Sequence, residues 1–102
     1  NAYQAVINDV FAQNISIVSS SGNSGSSMPG AYGYPASCEN VISVGATDIA
    51  GARAYYSTFN NMVDIAAPGG TTGTDLNGDG VGDGVPAFAN DNSIQRQWHL
   101  LM

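Results

Sequence analysis

The sequence predicts an α/β fold. Residues 2–19 read as a helix, a tight stop and then a short strand, which is half of an alternating α/β unit. Val41–Ala46 (VISVGA) is apolar enough to be a strand buried on both faces, as strands of parallel sheets are. Together these two observations favour a sheet with helical cover over an all-helical or all-β chain.

The helix is expected over residues 2–13, because its apolar residues recur at the spacing of one helix face. Asn14 follows, a residue that tolerates the left-handed conformation of many helix ends. Ile15–Ser19 then has the β-branched composition of a short strand. The apolar face consists of Tyr3, Val6, Ile7 and Val10.

Loops separate the remaining strands. Residues 20–33 are rich in Ser and Gly and read as a long exposed loop. Val63–Ala67 is predicted to be a third strand, ended by Pro68. Residues 71–84 contain too many Gly and Asp to form a regular element, and residues 85–102 show no clear period.

Composition limits the classes of partner. The 102 residues fit a single small domain, and two Arg, no Lys and eight acidic residues give a net charge of −6. This lack of cations argues against binding to nucleic acid or to anionic membranes. The 43% of hydrophobic residues argues against disorder. Since the chain opens without Met and stops in an apolar stretch, we expect it to be a piece of a longer protein.

The segment Ser21–Gly25 (SGNSG) directly follows the first strand. Its Gly residues allow a sharp turn and a close approach of the backbone to a ligand. Asn23 would then hold an uncharged amide at the carboxyl end of a strand, where α/β folds place their sites. An amide suits an oxyanion whose charge develops in the transition state, although a simple turn asparagine is the alternative.

The segment Asp75–Asp83 (DLNGDGVGD), called here the acidic loop, has the oxygen spacing of a calcium loop. Its oxygen side chains stand at loop positions 1, 3, 5 and 9 with Gly at position 6. The bidentate Glu of an EF-hand is absent, because Pro86 occupies position 12. A solvated acidic turn is the alternative to calcium. The proposed ligands are Asp75, Asn77, Asp79, Val81 through its carbonyl, and Asp83.

Three other residues carry possible chemistry. Cys38 is interpreted as a buried thiol, with a reactive thiol or half of a disulfide as alternatives. His99, beside Trp98, is expected to pack structurally. Asp64 on a buried-looking strand needs a hydrogen-bond partner or a cation.

Four segments of the chain are distinctive: VSSSGNSG from Val18, YPASCENVISVGATD from Tyr34, YSTF from Tyr56 and VDIAAPG from Val63. Read in this order, they resemble the central part of a subtilisin-like serine protease, a subtilase. The match extends over about residues 1–70 and rests on order and spacing as well as identity. The acidic loop resembles an insertion found in some secreted bacterial members.

The resemblance implies a three-layer fold with a mainly parallel sheet, and residues 1–102 as part of its catalytic domain. It implies that Asn23 is the oxyanion-hole asparagine. One wall of the specificity pocket would be Ser20, Ser21 and Gly22, with Gly33 near its floor. A family cation site would consist of Asp64 and the carbonyls of Glu39 and Val41.

The family's catalytic Asp and His fall upstream of residue 1 and its Ser downstream of residue 102. Asp64, His99 and Ser57 do not match them, so these 102 residues are expected to be inactive alone. The resemblance also implies a cis Tyr34–Pro35 bond and a disulfide between Cys38 and a cysteine upstream of Asn1.

The function predicted is therefore a fragment of a secreted, calcium-stabilised serine endopeptidase that cleaves polypeptides and is monomeric when complete. A catalytically inactive subtilase relative and a non-enzymatic calcium-binding module are the alternatives. The sequences that flank the chain would separate the active enzyme from the inactive relative.

Overall fold

The computed structural model describes residues 2–88 and 94–96. It begins with helix α1, Ala2–Ala12, as the apolar spacing predicts. The helix ends through hydrogen bonds of 3.0 Å from the Gln13 and Asn14 amides to the carbonyls of Val10 and Phe11. Asn14 has a φ of 63°, so it supplies the left-handed stop expected from the sequence.

Three parallel strands form the main sheet, in the order β1-β2-β3. They are β1, Ile17–Ser20, β2, Val41–Thr47, and β3, Ile65–Pro68. At all but one end, the observed strand boundary differs from the expected one by one or two residues. The reason is that hydrogen bonding between strands determines where each strand begins and ends. Pro68 belongs to β3, where the sequence predicts a stop. This is compatible with pairing because β3 lies at the edge of the sheet.

Helix α1 packs on one face of the sheet through Ile7, where β1 and β2 begin. Ile7 is buried against Cys38 and Val41, and Ile17 packs onto the same cluster. A second cluster, Ala46, Ala54 and Tyr56, lies at the far end of β2. These two small clusters form the core of the described residues.

The other face of the sheet is open in the described part of the chain, which corrects two expectations. Val18 pairs with Ile42, and Val44 pairs with Ile65, so these side chains share one face. Ile42 is 40% exposed and Ile65 is 56% exposed. β2 is thus not buried on both faces, and Asp64 beside β3 is exposed too. The cause is that α1 packs on the opposite face of the sheet.

Short antiparallel pairs occur where the sequence predicts no regular element. β4, Gly70–Thr71, pairs with β5, Asp83–Gly84, and so closes the loop between them. β6, Pro86–Phe88, pairs with β7, Ile94–Arg96. Two or three residues are too few to show a period in a sequence, which is why the pattern misses them.

Two further expectations concern the backbone and the membrane. The Tyr34–Pro35 bond is cis, as expected. No helix within the described residues is both long enough and apolar enough to cross a membrane.

Gly70→Ala tests the pairing of β4 with β5. Gly70 has a φ of 75°, and a Cβ there would lie 2.2 Å from the Asp83 carbonyl oxygen. We expect the free energy of unfolding to fall by about 2 kcal/mol or more, because both strain and backbone overlap oppose the substitution. Denaturant unfolding of the intact protein measures it.

Gly73→Ala is the matched control, because a Cβ at Gly73 meets nothing within 4 Å. Its effect should stay within about 0.5 kcal/mol. Equal losses in the two variants would contradict the close approach of the two strands.

Candidate active site

The turn Ser21–Gly25, called here the asparagine turn, begins where β1 ends. The Ser21 amide donates to the Val44 carbonyl at 2.8 Å and so continues the pairing with β2. Gly22 then takes a φ of 108°, which side chains rarely tolerate, and turns the chain away from the sheet. Asn23 is exposed at this carboxyl edge of the parallel sheet, as the sequence predicts.

Thr58 holds the asparagine turn through three hydrogen bonds. Its amide donates to the Gly22 carbonyl at 2.9 Å, and its Oγ1 accepts the Ser24 amide at 2.9 Å. Its carbonyl accepts the Ser21 hydroxyl at 3.1 Å. These bonds bind the residues on both sides of Asn23 to one buried residue, so the Asn23 backbone has little freedom.

The last residue of the turn is fixed in the same way. The Gly25 amide donates to the Tyr56 carbonyl at 3.0 Å. A Cβ on Gly25 would lie 2.2 Å from the Ser57 carbonyl oxygen, so the two backbones can approach only at a glycine. The asparagine turn therefore rests on the Tyr56–Thr58 segment along its length.

The Tyr56–Thr58 segment is itself anchored to β2. The Ser57 Oγ accepts the Ala46 amide at 2.9 Å, inside the structure. Arg53 Nη1 donates to the Ser57 carbonyl at 2.9 Å, and its guanidinium carbon lies 4.4 Å from the centre of the Phe59 ring. Sequence reasoning missed these supporting roles. The only indication of these roles in the sequence was the YSTF match, which does not predict which residues contact one another.

The residues predicted for the specificity pocket lie around this turn. Ser21 is buried, and a Cβ on Gly33 would lie 3.8 Å from the Ser21 carbonyl oxygen, so Ser21 and Gly33 are neighbours. The Gly33 amide donates to the Ser37 hydroxyl at 3.2 Å. Ser20 is exposed at the end of β1. The structure thus brings Gly33 close to Ser21, which precedes Gly22 and Asn23 in the asparagine turn.

The residues predicted for the family cation site are only partly together. Asp64 and Val41 line one cavity of about 290 Å³, whereas Glu39 lines a different one. The Asp64 Oδ2 accepts the Ser43 amide at 2.8 Å, and the Asp64 amide donates to the Ser43 carbonyl at 2.9 Å. Asp64 therefore has hydrogen-bond partners, although its exposure removes the need for them that burial would have imposed.

The acidic loop is curled around its first residue. Asp75 Oδ1 accepts the amides of Gly78 and Asp79 at 2.8 and 3.1 Å, and its Oδ2 accepts that of Gly80 at 2.8 Å. Asp79 Oδ1 accepts the Val81 amide at 2.9 Å. Across residues 2–88 and 94–96, no three acidic, histidine or cysteine side chains are grouped closely enough to hold a metal ion.

Two single residues complete the predicted set. Cys38 is buried against Ile7 and Val41, as the interpretation of a buried thiol requires. His99 lies outside the described residues.

Comparison with known proteins points to one family. The model of the subtilase family matches residues 1–97. An extracellular protease of Xanthomonas campestris pv. campestris is 37% identical over 89 residues, 87% of this chain and 15% of that protein. Subtilisin Savinase of Lederbergia lenta is 36% identical over 83 residues, 74% of this chain and 30% of that protein.

A solved structure agrees with this similarity. The epidermin leader peptide processing serine protease of Staphylococcus aureus superposes with a TM-score of 0.72 and 27% identity. The superposition covers 94% of this chain and 29% of that one. The chain therefore spans less than a third of the length of each of these three proteins.

Thr58→Val tests how the asparagine turn is held. Valine keeps the shape of threonine but leaves the Ser24 amide without its acceptor. We expect a loss of about 1–3 kcal/mol in unfolding free energy and faster amide hydrogen exchange at Ser24. Exchange measured by NMR or mass spectrometry reads the turn directly.

Thr58→Ser is the matched variant, since it keeps the hydroxyl and removes only a methyl group. It should leave exchange at Ser24 near the wild-type rate. If the serine and valine variants exchange equally fast, the hydroxyl does not hold the turn.

Proposed function

The chain belongs to the subtilase family, and we propose that it is part of a secreted serine endopeptidase to which it supplies the oxyanion-hole donor and part of the substrate pocket. The observation that supports this proposal most strongly is the placement of Asn23. It is exposed at the carboxyl edge of the sheet, in a turn whose flanking residues are bound to Thr58 and Tyr56.

The Asn23 amide would act on the charge that forms during peptide cleavage. A serine attacks the scissile carbonyl in the complete enzyme, and the carbonyl oxygen becomes an oxyanion. A neutral amide donor stabilises that oxygen more as its charge grows, which lowers the barrier rather than tightening ground-state binding. A turn that is already fixed adds to this effect, because little reorganisation is needed during the reaction.

The pocket assignment rests on the surroundings of Gly22 and Gly33. The Ser21 hydroxyl is turned inward to the Thr58 carbonyl, and Gly22 has no side chain. This wall therefore presents mostly backbone to a substrate. A polypeptide side chain could lie along it, with Gly33 beside the Ser21 carbonyl at the base.

Secretion is supported by the relatives' names, since one of them is called an extracellular protease. The acidic, lysine-free composition favours a polypeptide substrate over nucleic acid. We further propose a monomeric enzyme in which Cys38 pairs with an upstream cysteine, a bond that an oxidising compartment favours.

A cation at Asp64 is also part of the proposal. Asp64 is exposed and shares a cavity with Val41, which fits a cation held by one carboxylate and a carbonyl. Glu39 lines another cavity, so its carbonyl fits this site less well. A bound cation there would connect β2 with the start of β3.

Asn23→Ala tests the proposed catalytic role in the complete enzyme. The value of kcat should fall by about 10²–10³, a range known for the corresponding donor of a subtilisin itself and not obtained from this structure. KM should change little, because the hydrogen bond matures in the transition state. Steady-state kinetics on a peptide substrate measures both constants.

Asn8→Ala is the matched control, an exposed asparagine on α1 that should leave kcat unchanged. A loss confined to KM in Asn23→Ala would refute the oxyanion role. A complete protein without any hydrolytic activity would instead favour the catalytically inactive relative.

The 102 residues alone should not hydrolyse casein. By the resemblance, the Asp, His and Ser of the triad lie outside them, and an oxyanion donor without its nucleophile gives little catalysis. Hydrolysis by the purified 102-residue chain that a serine-protease inhibitor blocks would show that the triad has been wrongly placed.

A further inference from the structure

One carboxylate of the acidic loop is buried with an oxygen that no group among the described residues satisfies. Asp83 is only 9% exposed, and its Oδ2 accepts the Leu76 amide at 2.6 Å. Its Oδ1 is buried and has no hydrogen-bond partner among the described residues. Burying a charged oxygen without a partner is costly, so the site calls for a positive group.

No side chain of the acidic loop can supply that charge. Its nine residues contain no Lys, Arg or His. The bond to the Leu76 amide directs the Asp83 carboxylate back toward the start of the loop, where Asp75 stands. A cation from solution would meet this need.

We propose that the acidic loop binds one Ca²⁺, with the Asp83 carboxylate as its buried anchor. Asp75, Asn77 and Asp79 add oxygen ligands, and Val81 adds its carbonyl. Hard oxygen ligands of this kind select calcium over softer metals. Nothing in this proposal depends on proteolytic activity.

The curl of the loop fits this role. The Asp75 carboxylate accepts three backbone amides, which draws residues 78–80 around it. The Asp83 amide donates to the Thr74 carbonyl at 2.9 Å, which holds the two ends of the loop close together. The oxygen side chains thus lie on a loop that is already closed. Its three carboxylates are not grouped closely enough to hold a metal ion in this arrangement.

Repulsion between the three carboxylates opposes their convergence. Three carboxylates brought to one point without a cation would repel one another strongly at short range. A divalent cation reverses this balance, and the glycines at 78, 80 and 82 let the backbone follow. Without a bidentate Glu, affinity should lie near that of extracellular modules, a Kd of about 10⁻⁴–10⁻³ M.

Asp83→Asn in the complete protein is the decisive variant. Its amide oxygen can still accept the Leu76 amide, while the buried charge is gone. We expect the stoichiometry of CaCl₂ binding in titration calorimetry to fall by one, or the affinity of that site to fall at least about tenfold. Without calcium, the melting temperature should stay level or rise, because an uncompensated buried charge has been removed.

Three comparisons make the test specific. Asp9→Asn changes an exposed Asp on α1 by the same charge, so it should keep wild-type calcium binding. Asp64→Asn removes the other candidate cation site and should leave the acidic-loop site intact. MgCl₂ at equal concentration should stabilise the wild-type protein much less, since Mg²⁺ dehydrates reluctantly.

Should Asp83→Asn fail to fold, Asp75→Asn/Asp79→Asn replaces it, because both residues are exposed. Either variant retaining the wild-type calcium stoichiometry and affinity would overturn the proposal. Equal stabilisation by MgCl₂ would also overturn it, because generic screening of the acidic loop would then account for the response.

Discussion

The buried hydroxyl and backbone groups of the Tyr56–Thr58 segment are the constraint on which the rest of the site depends. Ser57 satisfies the Ala46 amide of β2, and Thr58 satisfies the turn around Asn23. Each group is buried, so each bond left unmade would cost a full desolvation penalty. The turn therefore has one well-defined position relative to the sheet, which the proposed oxyanion donor requires.

The same segment connects the asparagine turn to the acidic loop. The Tyr56 hydroxyl donates to the Gly70 carbonyl at 2.9 Å within the structure, and the Tyr56 carbonyl accepts the Gly25 amide. Gly70 pairs with Gly84, next to Asp83. An ordered acidic loop thus stabilises the pairing of β4 with β5. Through the bond from Tyr56 to Gly70, it also stabilises the segment against which the asparagine turn packs. A calcium ion in the loop would stabilise both regions without contacting the substrate.

The sequence predicted the features that depend on neighbouring residues, such as the end of α1 and the position of β2. Asn14 ends α1 because its side chain tolerates a positive φ, and β2 appears where β-branched residues cluster. The burial of Asp83 and the hydrogen bond from Thr58 to Gly22 could not be predicted from the sequence. Both depend on contacts between residues that are distant in the chain. Asn23 was found since Gly residues flank it, but the residues that fix it lie more than thirty positions away.

The sequence of β2 is more apolar than its burial within the described residues requires. Ile42 and Ile65 share an open face, although the strand sequence is typical of burial on both sides. Helix α1 occupies the opposite face, so a second covering layer would have to come from outside these residues. This is what the proposed three-layer enzyme requires, since the match covers only 15% and 30% of the two relatives' lengths. In the proposed enzyme, segments outside the described residues would both cover this open face and carry the triad.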